Sequence, residues 1–141
     1  MAMMRQAHEQ LLVDTHGAGL VEITGPVLDW VAQQDIAAGL LTLFCRHTSA
    51  SLLVQENAAP AVRRDIADYF AQLAPESRDY EHDDEGPDDM PAHLRTALTG
   101  VSVSIPIIDR LPTLGQWQGI YLFEHRRHPH RREVALHLFG A

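Results

Sequence analysis

The stretch YEHDDEGPDDMPAHL, residues 80–94, carries Glu81, Asp83, Asp84, Glu85, Asp88 and Asp89, with Asp79 just before it. His82 and His93 stand among these carboxylates. A neutral imidazole is a good ligand for zinc and related metals, and carboxylates serve as ligands or as acceptors that orient the imidazoles. The two histidines are eleven positions apart across a loop holding Gly86 and Pro87, a spacing that matches no local zinc motif. Only the fold can bring them together. The same residues also read as a solvated acidic loop in which Asp89 caps a helix beginning near Pro91.

Two other stretches have the residue types for chemistry. In RHTSASLLVQEN (46–57), His47 ends an apolar strand, and Thr48, Ser49 and Ser51 follow at a turn where hydroxyls and amides can donate to an anion. A lone histidine there also reads as a hydrogen-bonded structural residue. Glu56 ends the next strand as a general base, a ligand or a favourable charge near a helix start. In GQWQGIYLFE (115–124), Trp117, Tyr121 and Phe123 alternate with Gln118, Ile120, Leu122 and Glu124. The aromatic face reads as core. Glu124 on the opposite face needs a partner if that face is buried. The following EHRRHPHRR reads as a solvated basic hairpin tip whose His125, His128 and His130 offer adventitious metal ligands.

The elements that position these residues follow from pattern. Short strands are expected at 10–16, 19–23, 40–46 and 51–55, and alternation predicts further strands at 101–107, 115–124 and 132–139. Pro26 opens a helix that Gly39 can close. Residues 57–73 form the clearest helix, capped by Asn57 or a neighbour, with Val62, Ile66, Phe70 and Leu73 as its apolar stripe. PAHLRTALTG forms a short helix ended by Gly100. Short connections between strands make the sheet mainly antiparallel, and the class α+β.

The 141 residues suit one domain, and 45% apolar content suits a folded core. A net charge of −8 argues against broad nucleic-acid binding. Cys45 is the only cysteine, so no intrachain disulfide or Cys-rich zinc motif forms. The N-terminal residues lack the apolar run of a signal peptide, and no stretch approaches the roughly 20 apolar residues of a membrane span. A cytoplasmic location is expected, with neither membrane nor nucleic acid as partner.

RHTSASLLVQENAAPAVRRDI, YEHDDEGPDDMPAHL and GQWQGIYLFEHR, in this order and spacing, resemble the YjbQ family, also named secondary thiamine-phosphate synthase. The resemblance runs from about residue 10 to 139. It implies one compact α+β domain over 1–141, with a curved, mainly antiparallel sheet, two longer helices and one short one. It also implies a homotrimer with a polar pocket near subunit contacts. The motif positions fall on His47, Thr48, Ser49, Glu56, His82, Asp89, His93, Trp117, Gln118 and Glu124. The chain departs from the family pattern at Gln116 and Gln55, where the family has threonine and often asparagine.

Three functions are then expected. The first joins an aminopyrimidine diphosphate to a thiazole phosphate with release of pyrophosphate. A divalent cation, zinc or magnesium, held by Asp and Glu side chains would neutralise the leaving group, with Thr48, Ser49 or a basic side chain assisting. Glu56, Asp89, Gln118 and Glu124 would be catalytic, and Thr48, Ser49 and Trp117 would bind the small phosphorylated substrate. The second is metal-dependent hydrolysis of a small phosphorylated or acyl compound, with His47, His82 and His93 as metal ligands and Glu56 or Glu124 as base. The third is a non-catalytic trimer that binds a metal or metabolite.

Overall fold

Alternation along the strands decides which side of each sheet becomes interior. The computed structural model describes residues 3–141. In chain order it holds β1 (Arg5–Thr15), β2 (Gly19–Glu22), α1 (Thr24–Ala32), β3 (Gly39–Cys45), β4 (Ala50–Glu56) and α2 (Pro60–Leu73). Then come α3 (Asp89–Thr99), β5 (Ser102–Ile108), β6 (Leu111–Pro112), β7 (Gln118–Glu124) and β8 (His130–Gly140). A five-stranded sheet has the order β1-β8-β3-β5-β6, and a three-stranded sheet the order β2-β7-β4. Every pairing is antiparallel. The α+β class therefore holds, as one compact domain whose curled antiparallel sheet is divided in two.

The core lies between the two sheets. Leu41, Leu43 and Cys45 of β3 and Val134, Leu136 and Leu138 of β8 meet Ala50 and Leu52 of β4 and Ile120 and Leu122 of β7. Val27, Trp30 and Val31 of α1 join the same cluster. Cys45 is 1% exposed, and burial pushes its thiol up to about 11. Gly39 and Gly140 sit where two backbones nearly touch: a Cβ on Gly140 would lie 2.0 Å from the Ala38 carbonyl oxygen.

Several elements depart from expectation. β1 begins at Arg5 rather than near residue 10, because an edge strand needs only a partner backbone on one side, and β8 supplies it for all eleven residues. α1 stops at Ala32, well short of Gly39. The Gln34 side chain donates to the Trp30 carbonyl at 2.8 Å, and Asp35 takes a positive φ of 55°. The short helix is thus α1, of 9 residues, while α3 runs to 11. α2 has Pro60 in its first turn and Ala59 as its N-cap, with no side-chain cap from that residue. Its apolar stripe is only partly covered: Val62, Ile66 and Phe70 are half-buried and Leu73 is exposed. Phe70 meets the Phe123 ring edge-on at 5.6 Å.

The β7 strand is buried on both faces. Ile120 and Leu122 face the intersheet core, and Tyr121 and Phe123 lie buried on the opposite side. Trp117, expected to share the aromatic face, precedes the strand and is 58% exposed. Among the described residues no helix is long and apolar enough to cross a membrane.

Truncating the middle of this core tests it. Leu43→Ala is expected to lower stability by about 2–5 kcal/mol, whereas Leu98→Ala at an exposed α3 position stays within about 0.5 kcal/mol. Urea unfolding of both variants measures the contrast.

Candidate functional site

Helix α3 opens at Asp89, so Asp89 and His93 stand four residues apart on one face. The preceding acidic loop folds back so that His82 reaches the same point. Asp89 Oδ2 accepts from His82 Nε2 at 2.9 Å and lies 3.2 Å from His93 Nε2. Glu85 Oε2 is 3.4 Å from His82 Nε2. One ligand atom from each of His82, Glu85, Asp89 and His93 falls within 4.8 Å of the others. Asp89 is 2% exposed, whereas His82 and Glu85 reach solvent. An open cleft of about 680 Å³ runs beside His82, lined by Tyr80, Glu81, His82, Asp83, Asp84 and Met90.

Hydrogen bonding at His93 gives this cluster its chemistry. The Nδ1–H donates to the Thr48 carbonyl at 2.9 Å, which turns Nε2 toward Asp89. A ring carrying one proton then points a lone pair at a carboxylate oxygen. Only a second proton or a cation relieves that opposition. A backbone carbonyl behind the ligating imidazole is the usual arrangement around a bound metal. Two imidazoles and two carboxylates suit zinc and its first-row neighbours better than magnesium, which prefers oxygen donors.

Asp89 does not cap α3. The N-cap position is Asp88, without a side-chain cap bond, and its carboxylate turns instead to the turn before β8. Asp88 Oδ2 accepts from Arg126 Nε at 3.1 Å and from the Arg127 backbone at 2.9 Å. Arg126 also donates to Asp89 Oδ1 at 2.8 Å and to the Glu85 carbonyl at 2.9 Å. Burial alone would raise the Asp89 carboxyl, but Glu85, His82, His93 and Arg126 outweigh it and hold it below the usual carboxylate range. The hydrogen bond to Asp89 raises His82 above the ordinary histidine value.

The other expected site residues occupy three further places. His47 is half-buried and accepts the Glu133 backbone N–H on Nε2 at 2.7 Å, which commits that nitrogen. It is outside the four-residue cluster. Burial, with the Arg132 charge adding to it, lowers its pKa. Thr48 touches the cluster through its carbonyl. Ser49 is buried, with Oγ accepting from Arg132 at 3.0 Å. Glu124 is fully buried and bonded on both oxygens: Arg132 Nε and Thr15 Oγ1 donate to Oε1 at 2.8 and 2.6 Å, and Arg132 Nη2 donates to Oε2. Burial would raise this carboxyl, yet those bonds hold it low. Ala50 pairs with Glu124 and Glu56 with Gln118, so the last two sit roughly 20 Å from the first two at the ordinary rise of a strand. There Glu56 Oε2 accepts the Ala58 and Ala59 amides and leads the chain into α2, while Gln118 Oε1 accepts the Gly115 amide. The structure therefore joins His82, Asp89, His93 and the Thr48 backbone, and separates them from Glu56, Trp117 and Gln118.

Glu85 and Arg126 belong to the site and were not singled out from sequence. Glu85 is one of many loop carboxylates. Its signal was its spacing, four before Asp89 and three after His82. Arg126 was hidden in the basic run EHRRHPHRR. His125 itself is 1% exposed, with Nε2 at 2.9 Å from Ser51 Oγ and Nδ1 unpartnered. Burial, aided by the Arg95 charge, lowers it to about 3.

A curled antiparallel sheet bearing a histidine–carboxylate cluster defines an α+β protein with a candidate metal centre. The chain belongs to the UPF0047 YjbQ-like family, whose sequence profile, "UPF0047 protein YjbQ-like", matches residues 9–141. A UPF0047 protein of Synechocystis sp. is 49% identical over 140 residues, covering 99% of this chain and 95% of that protein. The UPF0047 protein YjbQ of Escherichia coli O157:H7 is 38% identical, over 92% of this chain and 95% of that protein. A conserved hypothetical protein from Thermus thermophilus superposes with a TM-score of 0.82 at 36% identity, over 92% and 98% of the two chains. A protein of unknown function from Sulfolobus solfataricus P2 shares the fold at TM-score 0.92 and 23% identity, over 99% and 100%.

The histidines should titrate apart. His82 is raised by Asp89, so its contribution to stability is complete below about pH 6.5 and is lost as pH rises through its higher folded value. His125 is depressed, so stability falls as pH drops from about 6.5 toward about 3, where the folded ring protonates. Histidine ring NMR from pH 5 to 9 is expected to show His82 titrating above 6.5 and His125 flat throughout.

Proposed function

We propose that this YjbQ-like protein holds a divalent cation between His82, Asp89 and His93, with Glu85 completing the set, and uses it on a small phosphorylated compound. The reaction favoured is a thiamine-phosphate synthase-type transfer. The observation that carries the reading is the convergence of two imidazole Nε2 atoms on one buried carboxylate oxygen while His93 Nδ1 is committed to the Thr48 carbonyl.

The acidic rim supports a cation-assisted substrate. Glu81, Asp83 and Asp84 line the cleft, and Arg126 and Arg127 are held by Asp88, Asp89 and Glu76. A free phosphate meets net repulsion there, whereas a phosphate complexed to a divalent cation does not. The bound cation would supply charge neutralisation for a departing diphosphate. In such a transfer the ring nitrogen of the thiazole phosphate forms a bond to the pyrimidine methylene carbon. The bond from that carbon to the diphosphate oxygen breaks, and its electron pair leaves with pyrophosphate. No proton needs to be removed from the nucleophile, so no protein base is required.

That requirement separates transfer from hydrolysis. The carboxylates expected as a base do not suit the role within one chain, since Glu124 is saturated by Arg132 and Thr15 and Glu56 lies at the far end of β4. The Thr48 carbonyl bonded to His93 keeps this residue beside the proposed cation, which supports a substrate-binding role for its hydroxyl.

A homotrimer is part of the same proposal. Leu40, Phe44 and Phe139 project from the outward face of the five-stranded sheet, and each is nearly half-exposed. Apolar groups concentrated on one sheet face fit burial by another copy. Light scattering on the purified protein is expected to give three times the chain mass; a monomer at micromolar concentration would remove the assembly.

Protein purified without chelator is expected to hold close to one metal per chain by mass spectrometry. His82→Ala and His93→Ala should lose it while folded, and His47→Ala should keep it. Aminopyrimidine diphosphate and thiazole phosphate should then yield pyrophosphate over many turnovers only with metal-loaded protein. Metal retained without turnover would favour a binding protein, and no metal after reconstitution would reject the site.

A further inference from the structure

We infer that Arg126 is a positioning residue that sets which face of Asp89 meets the cation, an inference that rests on the cation site proposed above. A carboxylate turns about a broad terminal torsion, which changes whether one oxygen or both face a cation. Here that tilt is held. Arg126 Nη1 donates to Asp89 Oδ1 at 2.8 Å, so Oδ2 alone faces His82 and His93. The geometry makes Asp89 a ligand through one oxygen only.

The guanidinium is itself held. Its Nε donates to Asp88 Oδ2 at 3.1 Å, and its Nη2 donates to the carbonyl of Glu85, another member of the cluster. One side chain thus reaches two of the four candidate ligand residues and the residue between the loop and α3. Its side chain is 18% exposed, against 8% for Asp88 and 3% for Asp89, so these bonds are shielded from solvent and salt. Burial would lower the Arg126 pKa, but the bond to Asp88 and the surrounding carboxylates raise it, so the charge is permanent. A lysine offers a point charge and cannot span both aspartates with a planar fork.

The neighbouring Arg127 supplies an internal control. Its side chain pairs with Glu76, and only its backbone N–H touches Asp88. A role in fixing Asp89 therefore predicts that two adjacent arginines behave differently.

The test is titration of the full chain with Co²⁺, followed by its visible absorption bands, for wild type, Arg126→Gln, Arg126→Lys and Arg127→Gln. Arg126→Gln is expected to weaken Co²⁺ binding about 10–100-fold, the usual effect of removing a group that orients a ligand. It should also shift the bands, because the freed Asp89 can ligate through both oxygens. Arg126→Lys should recover only part of the affinity, and Arg127→Gln should stay within about twofold of wild type, as for an exposed ion pair. Equal affinity and unchanged bands in Arg126→Gln would overturn the positioning role while leaving the metal site standing. Failure of the wild type to bind Co²⁺ would overturn both. If circular dichroism shows Arg126→Gln unfolded, Asp88→Asn decides. It keeps the guanidinium but loosens its hold, so weaker binding supports the role and unchanged binding rejects it.

Discussion

The ion pair between Glu124 and Arg132 is the constraint on which this molecule's functional end depends. Glu124 continues the inward face of β7 after Ile120 and Leu122, and Arg132 begins the inward face of β8 before Val134, Leu136 and Leu138. Two opposite charges thus replace apolar residues at one end of the intersheet core. Taking them from water is costly, and the attraction is helped to offset that cost by further hydrogen bonds to both partners. Thr15, Ser49 and the backbone of His125 and Arg126 complete the set. The pair therefore bridges the sheets and fixes the turn that follows β7. That turn presents Arg126 to the acidic loop, and the loop presents His82 to α3. An apolar pair could close the same core, but it would leave the turn amides unanchored.

How much of this was legible depended on whether the deciding information was local. The candidate ligands Asp89 and His93 sit on a helix recognisable from Pro91 onward in the sequence, which the structure extends back to Asp89, and the four-residue spacing then aligns the two side chains. The need of Glu124 for a partner was equally readable, since a carboxylate on a buried face cannot stand alone. Arg132 was not readable as that partner, because antiparallel register across separate sheets selects it. Register also divided the motifs. Thr48 and Glu56 are close in sequence but lie at opposite ends of β4, and Trp117 and Glu124 are divided likewise by β7. A strand separates what a helix would bring together. The shift from one curved sheet to two, and the early end of α1, followed from packing that no single segment records.

Imidazoles show how one residue type is given different roles by position. His125 is enclosed by Phe123, Ser51 and α3 and stays neutral. His47 offers its lone pair to a backbone amide, which fastens the end of β3 to β8. His82 and His93 share a carboxylate at the rim of an open cleft. Only the last pair combines exposure, convergence and an acidic partner. Sequence offers His47, His82 and His93 as ligands and leaves His125 on a basic tip, and the environment then separates the structural rings of His47 and His125 from the candidate ligands.

Cys45 gives the fold a built-in reporter. Its thiol lies between the sheets, its Sγ is 3.4 Å from the Ala50 carbonyl, and burial keeps it protonated far above neutral pH. Alkylating reagents attack the thiolate, so the closed molecule offers them neither access nor a reactive species. Modification must wait until β3 and β4 part. With a single sulfhydryl in the chain, the rate of labelling at high reagent concentration becomes the rate at which the core opens. The native sequence thus carries its own clock for breathing of the sheets, with no engineered probe required.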